Sequence, residues 1–136
     1  MKILFIGTVQ FSLQVLMKLS DMNTHIIGVC TKAESSYNND FEDLTPFCKL
    51  NSIPILYVEN INHKDNVEWI KSLEPDIIFC IGWSTLIKKE IIGIPKMGVI
   101  GFHPSKLPEN RGRHPIIWPL VMGLEKSAST FFFIGE

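Results

Sequence analysis

The chain has 136 residues, 46% of them hydrophobic and 20% charged, a balance that gives one globular domain an ordinary core and excludes a disordered tail. Thirteen Lys and Arg against fourteen Asp and Glu leave a formal charge of −1, so there is no bulk positive field to hold a nucleic acid backbone. Apolar runs all fall short of the roughly 20 residues of a membrane span. Met1 leads straight into a strand-like run without a signal peptide's apolar core and cleavage site, which predicts a cytoplasmic location and no membrane partner. Cys30, Cys48 and Cys80 are widely spaced with no CxxC pair. They read as buried thiols rather than as disulfide or zinc ligands.

Lys2–Ile6 is a short β-branched and apolar run closed by Gly7, and Phe11, Val15, Leu16 and Leu19 then recur at helical spacing. This predicts strand, tight turn, helix, with Thr8 as the N-cap. His25–Cys30 completes a first βαβ unit, and Thr31 to Asp43 is a polar surface loop. Phe41–Leu50 is expected to be a second helix with Phe41, Leu44, Phe47 and Cys48 on one face, Pro46 sitting in its first turn or bending it. Ile53–Val58 follows as a strand, Asn60–His63 as a turn, and Val67–Leu73 as a helix with Trp69 and Ile70 inward. Asp76–Ile81 is an uninterrupted apolar run of strand length, suited to a parallel strand buried on both faces. Leu86–Ile92 reads as a short helix and Met97–Phe102 as a strand that exits through His103-Pro104. A Trp118 segment and the Phe131-Phe132-Phe133 run end the chain. The alternation predicts an α/β, Rossmann-like, mostly parallel sheet with helices on both faces. The last strand, without a following cover, is expected to be an exposed edge that promotes association, including a homodimer.

Ligands of such sheets bind outside the carboxyl ends of the strands, and three loops there stand out. Gly7–Ser12 lacks the further glycines that let a backbone approach a pyrophosphate. Gly82-Trp83-Ser84 offers an aromatic and backbone amides to a flat heterocycle, or is a plain strand-to-helix turn with Ser84 as N-cap. His103-Pro104-Ser105 through Arg111-Gly112-Arg113-His114-Pro115 sets a histidine at a strand's end beside stiffening prolines. A histidine there serves as a proton carrier or as a donor to an oxyanion, its unperturbed pKa of about 6.5 lying near working pH. The spacing of His103, Glu109 and His114 is not that of a zinc helix. Ser105 lacks the nucleophile elbow of a serine hydrolase, so its hydroxyl is expected to cap the loop.

Val99-Ile100-Gly101-Phe102-His103-Pro104-Ser105-Lys106-Leu107-Pro108, continued by Asn110-Arg111-Gly112-Arg113 and Pro115, resembles the signature of the N10-formyltetrahydrofolate-dependent formyltransferases. The similarity runs along the whole chain, from Lys2–Gly7 through Asp76–Ser84 to Ser127–Phe133. The resemblance implies transfer of a formyl group from N10 of the folate cosubstrate to a primary amine, by residues 1–136 as an incomplete catalytic domain. It makes His103 the catalytic donor that stabilises the oxyanion. The family's asparagine, two residues earlier, is here Gly101, and the family's aspartate is expected a few residues beyond Glu136.

The resemblance further implies a pterin cavity along Ile81-Gly82-Trp83-Ser84-Thr85-Leu86, with Ile81, Gly82, Trp83, Ser84 and Leu86 as folate contacts. Thr8, Ser105, Arg111 and Arg113 are the expected acceptor contacts. The two arginines suit the diphosphate of a sugar nucleotide, or else make surface ion pairs. The polar Ser35–Asp40 loop is placed to cover that ligand. Within the family the chain looks most similar to the amino-sugar N-formyltransferases of lipopolysaccharide or O-antigen pathways, and its near-neutral charge, with neither a basic surface nor a second, C-terminal domain, fits a sugar nucleotide better than a tRNA. A piece of a methionyl-tRNA formyltransferase and a noncatalytic folate- or nucleotide-binding remnant stay open beside it.

Overall fold

A computed structural model describes residues 1–36, 39–109, 111–112 and 115–135. In chain order the elements are β1 (Lys2–Ile6), α1 (Gln10–Asp21), β2 (His25–Thr31), α2 (Thr45–Leu50), β3 (Ile55–Tyr57), α3 (Lys64–Leu73), β4 (Ile77–Cys80), α4 (Lys89–Ile92), β5 (Val99–His103), α5 (Ile117–Val121) and β6 (Thr130–Ile134). They build one sheet in the order β3-β2-β1-β4-β5-β6. The first five strands are mutually parallel, and β6 returns antiparallel along β5. The expected Rossmann-like sheet is what forms.

Strand alternation divides the core in two. Phe5, Val29 and Ile81 face α1 and α2, meeting Leu16, Leu44 and Cys48. Leu4, Ile6, Cys30, Ile78, Cys80 and Val99 face α3 and α4, meeting Val67, Ile70 and Ile91. Helices therefore cover both faces. The central strands read as continuous apolar runs because each residue is buried whichever way it points; Ile3 through Ile6 are fully buried. All three cysteines are buried and free. Burial pushes the thiols of Cys30 and Cys80 up to about 12.

Several boundaries differ from the expected ones, each for a local reason. The second helix does not begin at Phe41; Pro46 sits in its first turn, the Asp43 carboxylate accepts the Thr45 amide, and Phe41 instead bridges to Val9. The helix expected from Leu86 is cut to Lys89–Ile92 because the Asn62 side chain takes both the Leu86 carbonyl (2.8 Å) and the Lys88 amide (2.9 Å), holding that stretch extended. Ser84 is accordingly no N-cap; Lys88 occupies that position. The third helix starts earlier than expected, at Lys64, because the His63 side chain accepts the Asp65 amide. Among the described residues, no helix is long and apolar enough to cross a membrane.

Candidate active site

β1 and β4 lie side by side, yet β1 leads on to β2 on one side while β4 leads on to β5 on the other. This is the topological switch point at which the loops part and leave a crevice. Its floor is unusually tight. Ser12 Oγ donates to the Ile81 carbonyl at 2.6 Å and accepts the amides of Thr8 and Val9, each at 3.2 Å. Ser12 thus does the capping expected of Thr8; Val9 is the N-cap residue and Gln10 the first of α1. The two loops approach this closely because both carry glycine. A Cβ on Gly7 would run into the Ile81 carbonyl oxygen, and one on Gly82, whose φ is 69°, would run into Val9 Cγ2.

Above this floor a cleft of about 460 Å³ opens. Val9 lines it from the β1 loop, Asp40 from the long loop after β2, and Gly82, Trp83 and Ser84 from the β4 loop. Pro104, Pro115, Ile116 and Ile117 close it from the segment after β5. A second hollow of about 510 Å³, lined by Lys2, Glu74, Asp76 and Lys96 among others, lies at the amino ends of the strands, away from these loops.

Trp83 is the most informative side chain of the cleft. It packs on the α3/α4 core while Lys32, just past β2, places Nζ 5.5 Å from its ring centroid. Its indole Nε1 is buried with no hydrogen-bond partner among the described residues, a polar group whose unmet bond calls for an explanation. An apolar wall, the Trp83 ring and a left-handed glycine turn suit a flat heterocycle that carries its own acceptors and donors. The residues present therefore fit the pterin that the sequence resemblance implies, and Gly82, Trp83 and Ser84 are the ones that would hold it.

The expected site residues do not all converge here. Ile81 lies beneath the cleft, its carbonyl already taken by Ser12. Leu86 is 79% exposed and lies outside the cleft lining. Thr8 is buried, and its hydroxyl has no hydrogen-bond partner among the described residues. His103 is the last residue of β5, half-buried, with its neighbour Pro104 in the cleft wall. Ser105 is fully buried and donates to the Glu109 carbonyl at 3.1 Å, inside the loop rather than toward the cleft. Arg111 is exposed; Arg113 and His114 lie outside the described residues.

Sequence reasoning missed Ser12, Thr130 and Phe132. Thr130, opposite His103 in the antiparallel register, donates through Oγ1 to the Ser105 carbonyl at 2.7 Å and accepts the Leu107 amide at 3.2 Å. One side chain of β6 thus ties down the loop that follows His103. The ring of Phe132 covers Gly101, the position where the resemblance expects asparagine. A serine three residues after a strand-end turn was the signal for Ser12; Thr130 and Phe132 act across a strand pairing that the sequence does not display.

A family model described as "Formyl transferase" matches residues 1–136. The chain belongs to the formyl transferase family. It is 35% identical over 140 residues to a methionyl-tRNA formyltransferase of Clostridioides difficile, a match covering 100% of this chain and 45% of that protein. A methionyl-tRNA formyltransferase of Bacillus cytotoxicus is 34% identical, with 99% and 44% covered. The chain thus spans less than half the length of these curated relatives. Among solved structures, phosphoribosylglycinamide formyltransferase from Bacillus halodurans superposes with a TM-score of 0.81 at 14% identity, covering 100% of this chain and 73% of that one. A formyltetrahydrofolate deformylase from Pseudomonas syringae superposes with a TM-score of 0.78 at 15% identity, covering 99% and 46%. At such identities the likeness is one of fold.

Proposed function

We propose that this chain carries the folate-binding and formyl-transfer machinery of an enzyme that moves a formyl group from N10-formyltetrahydrofolate to a primary amine. The observation that carries the reading is the cleft at the switch point, where the orphaned Trp83 N–H and the Gly82 backbone stand beside the loop that begins at His103. The folate, when bound, supplies the formyl carbon as an acyl donor. Gly82, Trp83 and Ser84 would hold its flat ring system. His103 donates a hydrogen bond to the formyl oxygen as negative charge builds on it, the moment at which a positioned donor lowers the barrier most. Pro104 and the Pro115–Ile117 segment wall off water on that side.

For the acceptor, the relatives support an aminoacyl-tRNA, since the proteins matched over this whole chain at 35% and 34% identity are methionyl-tRNA formyltransferases. That reading is better supported than the sugar nucleotide expected from the resemblance and from Arg111 and Arg113. The amino-sugar acceptor keeps one observation in its favour: a formal charge of −1 gives this chain no field to grip a polyanion. Formyl transfer from labelled N10-formyltetrahydrofolate, measured with charged initiator tRNA and with a panel of nucleotide-linked amino sugars, separates the two. Transfer to either, lost in His103→Ala, sustains the enzyme reading. Binding of folate without transfer to any amine would leave a noncatalytic folate-binding protein.

A further inference from the structure

Gly101 and His103 are two residues apart on β5 and so project to the same face of the sheet. A side chain at 101 would have to displace the ring of Phe132. A Cβ would stand 2.8 Å from Phe132 Cζ, 3.1 Å from Phe132 Cε2 and 3.1 Å from Ile134 Cγ1. Phe132 is paired directly with Gly101, and Thr130 with His103, so the ring that fills the space over Gly101 comes from the neighbouring strand. It is also 37% exposed. It is the least exposed of the three phenylalanines of β6, and its ring lies against the backbone of β5 at Gly101, two residues before the histidine on the same face. The flanking Phe131 belongs to the other face, where it meets Phe102 at 5.0 Å, with Phe11 beyond at 4.6 Å. Phe132 is therefore not part of that aromatic stack.

We propose that Phe132 is a positioning residue for His103: its ring, seated over Gly101, forms the wall alongside the imidazole and limits the rotamers the histidine can adopt. Gly101 and Phe132 act as one unit, the glycine making room and the aromatic filling it. The catalytic consequence rests on the formyl-transfer reading, whereas the packing and the effect on the imidazole do not.

The test is a set of four variants of the whole protein: Gly101→Ala, Phe132→Ala, their double, and Phe132→Leu. Gly101→Ala and Phe132→Ala should each lower the melting temperature, and the double should lose less than the sum, because removing the ring relieves the clash. In Phe132→Leu, which keeps apolar volume but removes the ring current, the His103 ring-proton resonances should move while the amide resonances of β1 and β4 stay in place. With an acceptor in hand, Phe132→Ala should lower kcat between about 10- and 100-fold, the cost of a misplaced group, with the KM for folate unchanged and Phe132→Leu recovering part of the rate. Additive melting losses together with unmoved His103 resonances would overturn the proposal. Absence of formyl transfer in the wild-type protein would instead count against the functional reading, leaving the melting and resonance results to decide the role of Phe132.

Discussion

The two walls of the cleft are built on different principles. The β1–β4 wall is a tight junction: the Ser12 hydroxyl links Thr8, Val9 and Ile81, Gly7 and Gly82 let the two loops meet, and Phe5, Ile6 and Ile81 beneath are fully buried. The opposite wall is an outlying one, formed by the segment after β5 and held by Thr130 of the edge strand β6; nearby, Trp118 of α5 is 54% exposed, and Phe131 and Phe133 of β6 are 57% and 69% exposed. The rigid wall carries the groups suited to a flat ligand, and the outlying one carries the histidine. Under the proposed function, such a division would put recognition on the more tightly interlocked wall and the histidine on the outlying one.

The contrast is most severely tested on the rigid side. Gly7→Ala drives a methyl group into a backbone carbonyl that cannot yield, so the loss of stability should reach about 3 kcal/mol or more, read by denaturant unfolding. A change near zero would mean that the junction is softer than its geometry implies. On the outlying side, Thr130→Val leaves the Ser105 carbonyl and the Leu107 amide without that partner. The cost should be about 1–3 kcal/mol, with Thr130→Ser restoring most of it because the hydroxyl returns. If serine and valine behaved alike, the hydrogen bonds would not be what holds the loop.

Much of this architecture was legible in the residues. The apolar runs at Lys2–Ile6 and Asp76–Ile81 mark central strands because burial on both faces removes the need for polar alternation. The glycine-aromatic turn at Gly82-Trp83 and the His103-Pro104 exit likewise announced the cleft's two walls. What stayed hidden depends on tertiary partners. Asn62 shortens α4 from 24 and 26 residues away. Ser105, an expected acceptor contact, turns inward because Glu109 and Thr130 use its polar groups. The expected edge strand at Phe131–Ile134 agrees with the position of β6 at the end of the sheet, but the seat of Phe132 over Gly101 required the antiparallel register.

Smaller effects sharpen the same comparison. Cys30 and Cys80, with thiols pushed up to about 12 by burial, should resist alkylation at pH 8 until the central strands open; rapid labelling of the folded protein would contradict a closed core. At the far end of the sheet the Lys2 backbone amide donates to Asp76 at 2.6 Å, and this bond, aided by the N-terminal ammonium, Lys96 and Lys2, holds the carboxyl below its ordinary 3.8 despite a smaller opposing desolvation. A depressed carboxyl stabilises the fold above its unfolded value and ceases to do so as pH falls through the folded value. Wild type should therefore exceed Asp76→Asn in stability at neutral pH, and the gap should close below pH 3.8. Equal stability across that range would show the bond to be replaceable by water.

The central claim is that the switch-point cleft is a folate site whose recognition rests on the β4 loop. Calorimetric titration of the folded protein with a stable N10-formyltetrahydrofolate analogue, beside a Trp83→Phe variant that keeps the ring packing and removes the indole N–H, tests it directly. Saturable binding at one site, weakened in the variant, is the expected result. A folded wild-type protein that takes up no analogue, or one that binds it equally well without the indole donor, would contradict the account.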